Sequence, residues 1–257
     1  AKRSIFELSK LIRSIRPDKI ISVLRSVNYL TAVSTLFSNP KPELYFRVES
    51  PLTRFFQPIK FRGVIELILL NITYPLASSL IPNSLYTLET LKKYYFFGKN
   101  YSSQIGNPVF LEKKSSILKN IRQSLKIEND LVILNVARFW EVKDHKTLIK
   151  SFFLIKEKLK NIKLIIVGKG PLELEIKSFI KKLKLENSVF IEPPTSNITD
   201  YYDIANLFLF TSKYEGFGNV IVEALSRGVP TVTTKCGSLP NEIFQHESNK
   251  YVAEVGD

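Results

Sequence analysis

Residues 215–223 read EGFGNVIVE and follow a short apolar segment, LFLFT, at residues 207–211. The apolar segment predicts a buried strand, and the glycines predict a turn. From Val222 a helical pattern runs on until Gly228 and Pro230 end it. A strand that passes through a glycine-containing turn into a helix makes an anion site, because unpaired backbone N–H groups and the helix dipole face the turn.

Two carboxylates, Glu215 and Glu223, flank this turn. Carboxylates repel phosphate, so beside an anion site they are better suited to accept hydrogen bonds from hydroxyl groups. Hydroxyl groups next to a phosphate suggest a nucleotide sugar. The residues alone leave open a second interpretation, in which the two acids act as a general acid and base.

Strand and helix patterns alternate along the chain, which predicts an α/β fold with parallel sheets. In the first half, strands are expected at residues 19–22 and 44–48, with helices at 5–15, 27–37, 61–74 and 84–95. In the second half, strands are expected at residues 131–136, 163–167, 189–191, 207–210 and 231–233, with helices at 145–159 and 172–183.

The polar and glycine-rich segments of the second half each follow one of these strands. Because ligands of open α/β sheets bind at the carboxyl ends of the strands, we expect these loops to share one pocket. The loops carry Arg138 and Lys143, then Gly168–Pro171, Pro194–Asn197, Glu215–Val220 and Cys236–Pro240.

Arg138 and Lys143 are spaced so that one cation leaves a strand and the other enters the next helix. Charge-assisted hydrogen bonds to phosphate oxygens are strong, so this pair could hold a diphosphate. The GKGP run at residues 168–171 lacks the third glycine of a dinucleotide fingerprint and the Gly-Lys-Ser/Thr of a P-loop. It predicts a tight turn before a helix, with Pro171 at the first helical position.

Residues 212–232, SKYEGFGNVIVEALSRGVPTV, resemble the signature of the retaining glycosyltransferases of family 4. The resemblance covers residues 131–257 and, more weakly, the first half. It implies the GT-B architecture, in which two Rossmann-like domains with parallel sheets face each other across a cleft. Residues 1–110 would form an incomplete acceptor-side domain and residues 111–257 a nucleotide-sugar-binding domain. It also implies that segments are missing at both ends, and hence weak nucleotide binding and poor turnover.

The resemblance also implies a role for each matching residue. Arg138 and Lys143 would stabilise the leaving diphosphate, and Glu215 would lie near the transferred sugar. Glu223 would hold the ribose hydroxyls, and the remaining donor contacts would come from Gly168, Gly170, Asn197, Gly216, Phe217, Gly218, Asn219 and Val220.

The activity so implied is retaining, metal-independent transfer of a hexosyl-type sugar from a UDP- or GDP-linked donor. The acceptor would be a glycan or a lipid-linked glycan, in polysaccharide or glycoconjugate biosynthesis. No Asp-x-Asp occurs, and the two histidines, His145 and His246, are far apart in sequence, so no metal site is predicted.

The net charge of +13 favours an anionic partner. The lysines are dispersed, and the sequence contains no recognisable nucleic-acid-binding module. We therefore favour a peripheral contact with an anionic membrane. A nucleic-acid-binding protein and a non-catalytic scaffold with the same fold remain the alternatives. The single cysteine is typical of a reducing compartment, and we expect a cytoplasmic protein. Residues 63–81 are apolar, but Glu66 interrupts them, which favours a buried amphipathic helix followed by a strand over a membrane span.

Overall fold

The computed structural model describes residues 2–52, 61–109, 118–237 and 251–256. Contacts within the chain divide it into two units, Ala1–Asn107 and Pro108–Asp257. The sequence placed this division after residue 110, which is outside the described residues. Each unit is built on its own parallel sheet.

The sheet of the first unit has the order β1-β2-β3 and is parallel throughout. Its strands are β1 (Lys19–Val23), β2 (Glu43–Val48) and β3 (Ser79–Pro82). Its helices are α1 (Lys2–Ile15), α2 (Arg25–Thr35), α3 (Phe61–Thr73) and α4 (Leu85–Tyr94). Strand β2 alternates buried and partly exposed residues, and it buries Leu44, Phe46 and Val48 in the core of the unit.

Residues 63–81 form most of α3, a single 3-10 turn at Tyr74–Leu76 and then β3. Within the described residues, no helix is both long and apolar enough to cross a membrane. Glu66 is partly buried and accepts a hydrogen bond of 3.2 Å from the Tyr29 hydroxyl. The predicted helix and strand are present, but the prediction that the helix is buried is wrong in part, because Ile68 and Ile72 on α3 are exposed.

The sheet of the second unit has the order β6-β5-β4-β7-β8-β9, and every pairing in it is parallel. The strands are β4 (Leu131–Val136), β5 (Ile162–Val167), β6 (Val189–Glu192), β7 (Leu207–Phe210), β8 (Thr231–Thr234) and β9 (Val252–Ala253). The helices are α5 (Leu118–Ser124), α6 (His145–Lys158), α7 (Glu173–Lys182), α8 (Ile198–Ile204) and α9 (Asn219–Ser226).

Alternate residues of the central strands point into two separate cores, one on each face of this sheet. One core packs Leu134 and Phe208 against α8 and α9, through residues such as Tyr202 and Ile221. The other packs Ile133 and other strand residues against α6 and α7, through Leu148, Phe152, Ile176 and Ile180. Burial on both faces explains why these strands are nearly continuous apolar runs. It also leaves the carboxyl edge of the sheet as the place where loops meet.

Candidate functional site

A cavity of about 780 Å³ lies at the carboxyl ends of β4 and β5. The loops after β4, β5 and β6, the start of α8 and the first two turns of α9 form its walls. The lining includes several predicted site residues: Arg138, Lys143, Gly168, Gly170, Val220 and Glu223. The loops that the sequence placed together therefore do converge, although the fifth loop runs into residues 238–240, outside the described residues.

The two glycines of the GKGP turn allow the loop after β5 to touch the loop after β4. A Cβ on Gly168 would lie 2.0 Å from the Ala137 carbonyl oxygen, and one on Gly170 would lie 2.6 Å from that of Phe139. The Phe139 N–H also donates to the Lys169 carbonyl at 2.9 Å. Glycine is thus required for close backbone contact, which sets the shape of this wall.

Two cations reach this cavity from the loop after β4. The Arg138 side chain is exposed, whereas the Lys143 side chain is only 14% exposed. The Lys143 ammonium forms an ion pair with Oε1 of Glu215 and lies 5.3 Å from the centre of the Phe210 ring. Glu215 is outside the cavity lining, but this pair brings its carboxylate to the cation that lines the wall.

The backbone that carries Lys143 is held by hydrogen bonds from the segment after β7. The Thr211 hydroxyl donates to the carbonyls of Lys143 and Asp144, at 3.1 Å each. The Lys213 N–H donates to the Val142 carbonyl at 2.8 Å. These contacts fix the point from which the ammonium is presented. Thr211 is absent from the predicted site, although its position directly after a strand could have indicated it.

Asp144 links this turn to the helix that follows. Its backbone is left-handed, with φ of 47°, a region that aspartate tolerates better than most residues. Its side chain accepts a hydrogen bond of 3.3 Å from the Thr147 N–H and caps α6.

The glycine-rich turn leads into α9 as the sequence predicted. Gly218 has φ of +79° and occupies the N-cap position before Asn219. Val220 lines the cavity, whereas Gly216, Phe217 and Gly218 in the turn and Asn219 at the start of α9 do not form part of its wall. The role of their backbone N–H groups in holding phosphate stays a prediction.

Glu223 lies on the cavity side of α9 and is partly buried. Its Oε2 accepts a hydrogen bond of 2.8 Å from the Tyr202 hydroxyl, which comes from α8. Glu223 is therefore not an ordinary helical glutamate that faces only solvent. Tyr202 is absent from the predicted site, because its contact with Glu223 joins two helices across 21 positions and no sequence pattern indicates it.

Asn197 is exposed at the N-cap position of α8, and its side chain makes no capping hydrogen bond there. It is absent from the cavity lining, whereas the neighbouring Thr195 and Ile198 contribute to it. Thr195 and Ile198 are therefore better placed than Asn197 to contact a ligand.

His145 begins α6, as predicted, and is buried against Phe139, with ring centroids 5.1 Å apart. Burial lowers the pKa of His145 to about 4, and the nearby Lys143 adds to the effect. Cys236 is also buried, which raises the pKa of its thiol to about 11. Across the described ranges, no cluster of three or more His, Cys, Asp or Glu residues could hold a metal ion. His246 is outside those ranges.

Comparisons with known proteins agree with this architecture. The family model described as glycosyl transferases group 1 matches residues 117–257, more than half of the chain. An uncharacterized glycosyltransferase of Methanocaldococcus jannaschii is 27% identical over 256 residues, which cover 95% of this chain and 62% of that protein.

A second relative is the N-acetylgalactosamine-N,N'-diacetylbacillosaminyl-diphospho-undecaprenol 4-alpha-N-acetylgalactosaminyltransferase of Campylobacter jejuni. It is 28% identical over 246 residues, which cover 96% of this chain and 65% of that enzyme. The chain thus spans less than two thirds of the length of these two relatives.

Among solved structures, Anabaena HepE in complex with UDP and glucose is similar, with a TM-score of 0.83 and 21% identity. The match covers 98% of this chain and 68% of HepE. The α/β fold with parallel sheets is thereby confirmed as the GT-B fold. The chain belongs to the glycosyl transferases group 1 family.

Proposed function

We propose that this chain binds the donor of a retaining glycosyltransferase, a sugar linked to UDP or GDP, in the cavity at the carboxyl ends of β4 and β5. The observation that carries the proposal is the composition of this one cavity. It gathers two cations, a glycine turn and a carboxylate on a helix: Arg138, Lys143, Gly168–Pro171 and Glu223. A nucleoside diphosphate offers the matching groups, since cations suit its phosphates and a carboxylate suits its ribose hydroxyls.

Arg138 and Lys143 stabilise the negative charge that develops on the diphosphate as the bond to the sugar breaks. Such fixed charges act most strongly where charge grows during the reaction. Because both are protein cations, we propose that no metal ion is needed. Addition of a chelator should then leave turnover unchanged, whereas a loss of activity that Mg²⁺ restores would overturn this part of the proposal.

Glu215 is paired with Lys143 and is proposed to lie beside the transferred sugar, where it orients the sugar or stabilises positive charge at its anomeric carbon. The bond between the anomeric carbon and the diphosphate breaks, the acceptor oxygen bonds to the same face of that carbon, and the leaving diphosphate takes the acceptor's proton. The anomeric configuration is therefore retained, and no dedicated protein base is needed. Proton NMR of the product would reveal an α-anomer from an α-linked donor. A β-anomer would contradict retention.

The acceptor is proposed to be a glycan or a lipid-linked glycan at the cytoplasmic face of a membrane. The Campylobacter relative, whose name includes a diphospho-undecaprenol, supports this choice. Helix α1 supports it too, because it exposes apolar side chains together with basic ones: Phe6, Leu11, Ile15, Arg3, Lys10 and Arg13. Sedimentation with vesicles should require anionic phosphatidylglycerol and should weaken with salt, and equal binding to neutral vesicles would contradict it.

The first experiment measures the melting temperature of the chain with UDP, GDP, ADP and their sugars. A ligand that binds only the native state raises the free energy of unfolding, so a shift with one nucleotide identifies the donor class. Glu223→Ala should abolish that shift. If no nucleotide shifts the melting temperature of this chain or of a version extended at both ends, the proposed donor site is wrong, and the non-catalytic scaffold becomes the better interpretation.

A further inference from the structure

The carboxylate of Glu223 has two oxygens, and the protein uses only one of them. Oε2 accepts the 2.8 Å hydrogen bond from the Tyr202 hydroxyl. Oε1 has no hydrogen-bond partner among the residues that the structure describes. The side chain as a whole lines the 780 Å³ cavity, so one oxygen is held by the protein and the other is left for a ligand.

Tyr202 is fixed more firmly than the carboxylate it binds. Its side chain is completely buried under α9, with its ring centroid 5.8 Å from that of Phe208. Its hydroxyl also lies 3.5 Å from the Val220 carbonyl. Close packing of this kind restricts the rotamers that the side chain can adopt. Its hydroxyl is therefore a well-positioned donor beside the N-terminal half of α9.

Tyr202 also keeps its proton under all ordinary conditions. Burial raises the pKa of its hydroxyl, and the nearby charge of Glu223 raises it further. The hydroxyl is therefore the donor in its hydrogen bond to Oε2 of Glu223.

We propose that Tyr202 is a positioning residue, which holds Oε2 of Glu223 so that Oε1 faces the ribose hydroxyls of the donor. The proposal rests on the proposed function, since it requires a nucleotide in the cavity. Tyr202 does not touch the substrate and acts only through the carboxylate. A flexible glutamate would have to lose side-chain freedom on binding, and the tyrosine removes that cost in advance.

A structural role alone would also explain the hydrogen bond, because a buried hydroxyl requires a partner. The two roles differ in what the hydroxyl controls. A structural hydroxyl affects only stability, whereas a positioning hydroxyl affects how strongly the site distinguishes ribose from deoxyribose.

Tyr202→Phe removes the hydroxyl and keeps the ring, and Tyr201→Phe provides a matched control. Tyr201 is the adjacent residue, and its hydroxyl donates to Glu192 at 3.0 Å. Neither Tyr201 nor Glu192 lines the cavity. Both variants therefore lose one Tyr–Glu hydrogen bond, and only one of the two bonds is at the proposed site.

The experiment measures the Kd of UDP and GDP and of their 2'-deoxy and 3'-deoxy analogues by calorimetry, for the wild type and both variants. Tyr202→Phe should raise the Kd of the bound ribonucleotide about five- to tenfold, the effect of one hydrogen bond. It should also reduce the preference over the deoxy analogues, while Tyr201→Phe changes neither. In an active preparation, the donor KM should rise and kcat should stay the same.

The failures of the two proposals are distinguishable. Tight wild-type binding with the same ribose preference in Tyr202→Phe would overturn the positioning role and leave the donor site intact. A wild type that binds neither nucleotide would overturn the donor site itself, and with it the role of Tyr202.

Discussion

The ammonium of Lys143 and the carboxylate of Glu215 form an ion pair, although the two residues are 72 positions apart in the sequence. Their side chains are 14% and 17% exposed, so the pair is largely shielded from water. It joins the loop after β4 to the glycine-rich turn after β7. Lys143, proposed to stabilise the leaving diphosphate, and Glu215, proposed to lie beside the sugar, therefore interact directly with each other.

Replacement of Lys143 by alanine should lower kcat on the order of a hundredfold, because it removes a charge that stabilises the leaving diphosphate. The measurement compares kcat of the wild type and of Lys143→Ala, in a version of the chain extended at both ends. The substrate is the nucleotide sugar that the thermal-shift experiment identifies. Lys177→Ala is the control, because Lys177 also pairs with a glutamate, Glu173, but lies on the exposed face of α7. Turnover that is unchanged in Lys143→Ala would contradict the assigned role.

The Lys143–Glu215 pair should also contribute measurably to stability. A double-mutant cycle with Lys143→Met and Glu215→Gln, followed by urea unfolding, should give a coupling energy of about 1–2 kcal/mol. The same cycle on the exposed Lys177–Glu173 pair should give about 0.3–0.5 kcal/mol, the value typical of helix surface pairs. Equal coupling energies would show that burial does not strengthen the pair.

His145 should make the protein less stable in acid. Its pKa is lowered from 6.5 to about 4 in the folded state, so the unfolded chain binds the proton first as pH falls. The free energy of unfolding should therefore decrease between pH 6.5 and pH 4, by up to about 3 kcal/mol from this residue alone. His145→Phe cannot titrate and should flatten that part of the curve, as measured by urea unfolding at several pH values. An unaltered slope would mean that other groups cause it.

Gly168→Ala should damage both stability and donor binding. The new Cβ would lie 2.0 Å from a backbone oxygen, which cannot move without displacing the loop after β4. Steric overlap of this kind costs about 1–3 kcal/mol. Urea unfolding checks the first effect and nucleotide titration the second. A variant with the stability of the wild type would show that the loops separate easily.

The strands of the second unit could be predicted from the sequence because they are buried on both faces. The observed bounds of β4 and β7, Leu131–Val136 and Leu207–Phe210, coincide with the apolar runs. The sequence pattern predicts the start of helix α2 less accurately: it indicates Val27, whereas the helix begins at Arg25. The residue before it, Leu24, has φ of 76° and provides no capping side chain that could indicate a helix start.

The cavity could be predicted in outline from the parallel strands and the loops that follow them, whereas the contacts within it could not. Parallel strands bring their carboxyl ends to one edge, which accounts for Arg138, Gly168 and Glu223 lying around one space. The hydrogen bonds from Tyr202 and Thr211 depend on how helices and loops pack in three dimensions. No periodicity or spacing in the sequence indicates these two hydrogen bonds.

The most direct test of the central claim is the structure of this chain with its preferred nucleoside diphosphate bound. The account predicts the diphosphate within about 3 Å of the Arg138 and Lys143 cations and a ribose hydroxyl at the same distance from Oε1 of Glu223. A nucleotide bound elsewhere on the chain, or bound in this cavity with its ribose away from Glu223, would contradict it.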